Sequence, residues 1–127
     1  MIYVDTNVFM HAVGREHPLK SEARAFFVEH TASGEVLVSS AEVLQELMHA
    51  YVPVNRLDAL DAALTLARAR LGSIWPLEAE DVELARSLVD RHPALAARDL
   101  VHLASCTRRG VSAVKTFDRA LASAFRA

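Results

Sequence analysis

What the chain lacks narrows its class first. It has one cysteine, Cys106, so no disulfide can form within it, which suits a reducing cytosol. No stretch approaches the ~20 apolar residues of a membrane span. The first residues already read as a strand, so no signal peptide is expected. Basic charge is not in surplus: 14 Lys and Arg stand against 16 Asp and Glu, net −2, with a pI near 6.3. A broad basic face for nucleic acid is therefore excluded, and any nucleic acid must be held locally. There is no Cys-x-x-Cys pair, no Gly-rich phosphate loop and no G-x-S-x-G elbow, so three common chemistries lack their parts. No internal repeat, low-complexity tract or Gly/Ser linker interrupts the chain. Its 127 residues, 52% apolar and 24% charged, fit one domain over 1–127 with a real core.

The chain is organised around its first strand. Ile2, Tyr3 and Val4 run without polar alternation into Asp5-Thr6-Asn7. Such a strand is buried on both faces, as in a parallel sheet. Asp5 then lies at the carboxyl end of a central strand, where open α/β sheets bind ligands. Thr6 or Asn7 is suited to cap the next helix. Helical spacing follows over Val8 to Val13 and from Pro18 to about residue 31. Val36-Leu37-Val38 is a second short strand. Val43, Leu44, Leu47, Met48 and Tyr51 mark a third helix. Asn55 is placed to cap a fourth, which carries two apolar stripes to Leu71, one for the fold and one for another subunit. Ser73-Ile74-Trp75 is a weaker strand. Helices over Val82 to Arg91 and Arg98 to Arg109, a strand over Ser112 to Lys115 and a last helix complete the pattern. Strands alternating with helices predict an α/β fold, a parallel sheet with helices on both faces.

Four carboxylates fall where strands end or helices begin: Asp5, Glu46, Asp99 and Asp118. Taken singly, Asp99 is explained by the helix dipole and Asp118 by an N-cap. Glu46 is not, since it lies inside a helix between Val43, Leu47 and Ala50. Glu42 is separated from it by Ser39-Ser40-Ala41-Glu42, which fits a capping box. Four acids in one crevice repel. At an effective dielectric of ~20, one like-charge pair at ~4 Å costs about 4 kcal/mol. The pocket must hold protons or cations, and oxygen-only ligands select Mg²⁺ or Mn²⁺. Such an ion suits phosphoester hydrolysis. Thr6 and Thr116 add hydroxyls beside the acids. His102 follows Asp99 by about one turn, and a supporting role is expected of it rather than ligation. Cys106 reads as a core residue.

With these residues in place, the chain resembles the PIN-domain ribonucleases, and among them the VapC-type toxins of toxin–antitoxin pairs. The resemblance rests on Val4-Asp5-Thr6-Asn7, Leu44-Gln45-Glu46-Leu47, Arg98-Asp99-Leu100-Val101-His102-Leu103-Ala104 and Lys115-Thr116-Phe117-Asp118, in this order over nearly the whole chain. It implies a Mg²⁺-dependent endoribonuclease with a water nucleophile, leaving 5′-phosphate and 3′-hydroxyl ends. It implies Asp5 and Asp99 as main metal ligands, Glu46 and Asp118 completing the acidic quartet, and Thr116 as its supporting hydroxyl. It also implies a homodimer neutralised by a small antitoxin that often places an arginine in the acidic pocket, and the lone cysteine leads us to expect it in the cytoplasm. Family members often carry a fifth edge strand after the last acid. Only nine residues follow Asp118 here, so the expected fold is a three-layer α/β/α sandwich on a four-stranded sheet of order 3-2-1-4.

Rival classes lack residues they need. A receiver domain wants paired acids after the first strand and an acceptor Asp after the third, but Thr6-Asn7 and Trp75-Pro76-Leu77 stand there. An aspartyl phosphatase wants D-x-D, and position 7 is Asn. A housekeeping PIN nuclease in RNA processing and a catalytically silent α/β binding or signalling domain remain as competing classes. For RNA contact the sequence offers Arg15, Lys20, Arg56, Arg98, Lys115 and Arg119 without ranking them.

Overall fold

The computed structural model describes residues 1–127. Four short strands, β1 (Ile2–Val4), β2 (Leu37–Ser40), β3 (Ser73–Trp75) and β4 (Ala113–Lys115), alternate with seven helices. All pairings are parallel and the order is β3-β2-β1-β4, as expected. The register pairs Val4 with Lys115 and Ile2 with Leu37. Central β1 therefore ends beside the end of β4, and Asp5 N–H donates to the Lys115 carbonyl at 3.0 Å.

The helices are α1 (Thr6–Val13), α2 (Pro18–Ser33), α3 (Ala41–Tyr51), α4 (Leu57–Arg70), α5 (Ala79–Ser87), α6 (Ala97–Arg108) and α7 (Arg119–Arg126). The larger core joins Tyr3, Val4, Leu37 and Val38 of the sheet to Val8, Phe9, Phe27, Val43, Leu47 and Leu60 of α1–α4. Cys106 is buried within it, the core position expected. A smaller core joins α5, α6 and α7 through Leu88, Leu100, Leu103 and Ala124. Burying each large apolar side chain contributes about 1.5–3 kcal/mol. The sheet is only three to four residues deep, so the helices carry most of that burial.

Several local expectations are corrected. Asp5, rather than Thr6 or Asn7, caps α1, its carboxylate accepting from Thr6 N–H at 2.8 Å. The capping box proposed for Ser39 and Glu42 does not form. β2 extends through Ser39 and Ser40, which points both hydroxyls into the sheet layer: Ser39 Oγ donates to the Val4 carbonyl and Ser40 Oγ pairs with the Tyr3 hydroxyl. Ser40 is the N-cap of α3 without a side-chain cap bond. A capping box forms instead at α5, between Glu78 and Asp81. Asn55 does not cap α4 either. It takes a left-handed conformation (φ 54°) in the turn before Arg56, a region that Asn tolerates better than most residues. In α4 the Leu60, Ala63 and Ala67 face is buried against the core, whereas Ala62 and Ala69 of the second stripe stay exposed.

Candidate metal centre at the carboxyl edge of the sheet

The carboxyl ends of β1 and β4, the middle of α3 and the start of α6 meet in one crevice of about 460 Å³. Asp5, Glu46, Asp99 and Asp118 all line it, with Thr6, Asn7, Met10, His49, Ala50 and Arg98. Thr116, the fifth residue expected there, stands behind the wall. Its hydroxyl donates to Asp5 Oδ2 at 2.6 Å. Glu42, one turn before Glu46, does not line the crevice.

Each acid is held differently. Asp5 is buried, with Oδ1 on the Thr6 N–H and Oδ2 on the Thr116 hydroxyl. Glu46 Oε1 accepts from Thr6 Oγ1 at 2.7 Å and from His102 Nε2 at 2.5 Å, while Oε2 faces Arg98 Nε at 3.8 Å. Asp118 uses Oδ1 to cap α7, accepting from the Ala120 and Leu121 N–H groups. It is thus the N-cap that the sequence allowed and a crevice acid as well. Its loop is tied to α1 through Asn7, whose Oδ1 accepts from Phe117 N–H at 3.1 Å and whose amide reaches Thr116 Oγ1 at 3.3 Å.

The charges are unevenly tolerated. Burial raises Asp5 above the usual carboxylate range against the pull of His102, Thr116 and Thr6. Asp99 goes further, to about 6. Burial is the main cause, then the like charges of Asp5 and Asp118, with no hydrogen bond to offset them. Burial also pushes Glu46 up, but hydrogen bonds from His102 and Thr6 and the His102 and Arg98 charges outweigh it and leave that carboxyl below its ordinary value. Asp99 is therefore the acid least supplied by the protein and the one most relieved by a cation. The site's carboxylate oxygens fit a hard divalent ion.

His102 is fully buried and joins two layers of this network. Its Nδ1 pairs with the Tyr3 hydroxyl at 2.6 Å, and Tyr3 pairs in turn with Ser40 Oγ at 2.9 Å. Burial alone would lower the imidazole pKa, but the Glu46 hydrogen bond and the Glu46, Asp5 and Asp99 charges raise it overall. Its Nε2 lies close enough to Asp5 and Glu46 for the three to hold a metal, their ligand atoms all within 4.8 Å. The ionised Glu46 can only accept, so Nε2 carries the proton and has no lone pair for a cation. His102 thus supports the carboxylates, as expected from the sequence. Tyr3, Ser40 and Asn7 were missed by sequence reading. The one available signal was a tyrosine in an otherwise aliphatic buried strand, since a buried hydroxyl needs a partner. We predict that His102→Leu costs about 2–3 kcal/mol, because Glu46 and Tyr3 each lose a buried partner. Thermal unfolding with an unchanged midpoint would contradict this.

The six basic candidates also separate. Only Arg98 lines the crevice. Lys115 lies over the Phe117 ring at 5.0 Å and pairs with Glu22 at 3.8 Å. Lys20 and Arg56 pair with Glu16 and Asp58.

Comparison with known proteins agrees with this geometry. The family model "PIN domain" matches residues 2–125. Ribonuclease VapC23 of Mycobacterium tuberculosis is 62% identical over 126 residues, 99% of each chain. Ribonuclease VapC13 of the same species is 38% identical over 119 residues, 94% of this chain and 91% of that one. Among solved structures, M. tuberculosis VapC20, described as a sarcin-ricin loop cleaving toxin, superposes with a TM-score of 0.72 at 22% identity, covering 98% of this chain and 95% of that one. VapBC2 of Rickettsia felis, solved on a DNA fragment from its promoter, gives 0.68 at 18% identity, covering 93% and 88%. At such identities the superpositions speak for the fold alone, while the family match and the full-length relatives speak for descent. With its sheet order, its acidic crevice and these relatives, the chain belongs to the PIN-domain family, in its VapC branch.

Proposed function

We propose that the acidic crevice is the active centre of a Mg²⁺-dependent endoribonuclease, the toxin of a toxin–antitoxin pair, working in the cytoplasm. The observation that carries this reading is the convergence of Asp5, Glu46, Asp99 and Asp118 in one crevice, with Asp99 raised to about 6 by burial and its acidic neighbours. A site so short of positive charge is costly unless it meets a cation, and oxygen donors suit Mg²⁺, with Mn²⁺ as a substitute. Asp5 and Asp99 are the main ligands in this reading, with Glu46 and Asp118 completing the set. When bound, the ion supplies Lewis-acid polarisation of the scissile phosphate and favours a deprotonated water.

The rest is work of the chain's own side chains. Thr116 and the Thr6 N–H fix both oxygens of Asp5. Thr6 and His102 fix Oε1 of Glu46. Such fixed geometry keeps reorganisation out of the reaction step. Arg98, at the mouth and largely exposed, offers a positive charge to a phosphate. The bond from water oxygen to phosphorus forms as the bond from phosphorus to the 3′ oxygen breaks, leaving a 5′-phosphate and a 3′-hydroxyl.

Partners follow from the same reading. The antitoxin of this pair is a small protein that blocks the crevice, and an arginine inserted among the acids would offset their repulsion as a metal does. The exposed Ala62 and Ala69 side of α4 and the exposed Met48, Val52, Val54 and Leu57 on and beyond α3 are where a second copy or the antitoxin would bury apolar surface. The experiment that tests the function is cleavage of RNA with Mg²⁺ or Mn²⁺, followed by EDTA. We expect complete loss on chelation. Activity that persists in excess EDTA would remove the ligand roles of Asp5 and Asp99.

A further inference from the structure

Beside the crevice the surface changes from acids to rings. Asn7 lines the crevice on α1, and His11 follows about one turn later, about 6 Å along the axis and on the same side of the helix. Phe117 stands between Thr116 and Asp118, its backbone N–H bound by Asn7. The His11 ring meets Phe117 edge-on, 5.3 Å between centroids at 85°. His17 also packs on His11, 4.8 Å between centroids at 40°. His17 is exposed, His11 and Phe117 partly so. Lys115 Nζ stands 5.0 Å from the Phe117 centroid and 3.8 Å from the half-exposed Glu22 carboxylate, a surface pair that a phosphate can displace. Three rings and a cation thus cluster beside the acidic wall.

Folding accounts for only part of this cluster. His17 caps α2, its Nδ1 accepting from Leu19 N–H at 3.1 Å, but Ser, Asp and Asn provide that acceptor without a ring. His11 occupies the last turn of α1, where the helix dipole rewards a positive charge. Burial and the neighbouring His17 instead hold its imidazole below the ordinary value, so at neutral pH it serves as an uncharged ring. A substrate with many negative charges must dock on a chain of net charge −2. Stacking of unpaired bases on aromatic faces supplies affinity that needs little positive charge.

We propose that His11, His17 and Phe117 form a nucleobase subsite that stacks an unpaired base of the RNA next to the phosphodiester held in the crevice. This rests on the ribonuclease reading above and adds to it the side chains that would hold a base unstacked from its neighbours. Lys115 serves the same segment by meeting its phosphate. His11 and His17 are specificity-determining residues and take no part in bond breaking.

The test uses the full chain and single-stranded RNA carrying 2-aminopurine, whose fluorescence is quenched on stacking, in EDTA for binding and in Mg²⁺ for cleavage. The double variant His11→Leu with His17→Asn removes both rings while Asn keeps the α2 cap. His11→Phe keeps a ring and loses the imidazole nitrogens. We expect the double variant to raise KM on the order of 10-fold, to lose the quenching and to keep kcat, while His11→Phe retains wild-type KM and quenching. Unchanged KM and quenching in the double variant, with wild-type cleavage intact, would overturn the subsite and leave the ribonuclease reading standing. Equal wild-type affinity for RNA with abasic positions would overturn it too. A wild-type chain that neither binds nor cuts RNA would remove the ribonuclease reading, and the subsite with it. Melting temperatures of both variants within a few degrees of wild type confirm that the comparison is between folded proteins.

Discussion

Glu46→Gln should cut the rate of RNA cleavage on the order of 100-fold or more while leaving a folded protein, and Glu42→Gln should keep most of the activity. The two glutamates are one turn apart on α3, yet only Glu46 reaches the crevice. Gln at position 46 can still accept from the Thr6 hydroxyl and the His102 ring, which hold Glu46 at 2.7 and 2.5 Å. It cannot supply the negative charge a divalent ion requires. Loss of a metal ligand costs at least as much as loss of its supporting partner, about 10–100-fold. The stability cost is smaller, about 1–2 kcal/mol, from weakening hydrogen bonds to a charged group. Glu42 is not held by a capping box, so its replacement forfeits only a first-turn dipole contribution of about 0.3–1 kcal/mol. Cleavage and thermal unfolding measured side by side decide the matter. A dead Glu42→Gln and an active Glu46→Gln would place the wrong turn of α3 in the site.

Asp99→Asn should abolish cleavage and, in metal-free buffer at pH 7.5, raise the melting temperature. Asp99 titrates near 6 because burial and the Asp5 and Asp118 charges disfavour its ionised form. A carboxyl raised on folding binds its proton more tightly in the folded state. Its protonation therefore stabilises the fold as pH falls through about 6, and that stabilisation is lost as pH rises through the same value. The metal-free wild type should melt higher at pH 5 than at pH 7.5. Asparagine keeps the shape without the charge, so the variant should lack this part of the pH dependence, with the gap between the two narrowing toward pH 5. Added Mg²⁺ should stabilise the wild type and not the variant. A marked fall in the variant's melting temperature at pH 7.5 would make Asp99 a structural residue instead.

The site was legible to different depths. Asp5 could be placed from β1 alone, because an apolar run that ends in an acid puts that acid at a sheet edge. Glu46 could be placed because an acid between Val43 and Leu47 has no folding reason. The hydroxyls of Thr6 and Thr116 were legible as neighbours of acids but not as partners. Thr116 donates its hydroxyl proton to the Asp5 carboxylate, across the β1–β4 pairing, and meets its near neighbour Asp118 only by accepting from the backbone N–H. The Ser39–Glu42 box failed because the motif is local, while the serines are claimed by the sheet layer: Val4 takes one and Tyr3 the other.

By itself the sequence determined the alternation of strands and helices and the four acids placed near element boundaries. These follow from short-range periodicity and from chemistry that each residue carries wherever it lies. Only the tertiary structure decided the unequal state of those acids. Glu46 is lowered by donors from the start of α1 and from α6, Asp99 is raised to about 6 by burial and by neighbours from two other elements, and Asp118 is half engaged by its own helix. It alone also joined Tyr3, 99 residues away, to His102 and brought His11 against both His17 and Phe117. Hydrogen bonds and like-charge repulsion depend on distances of a few ångströms, and between residues far apart in sequence only the folded chain sets those distances.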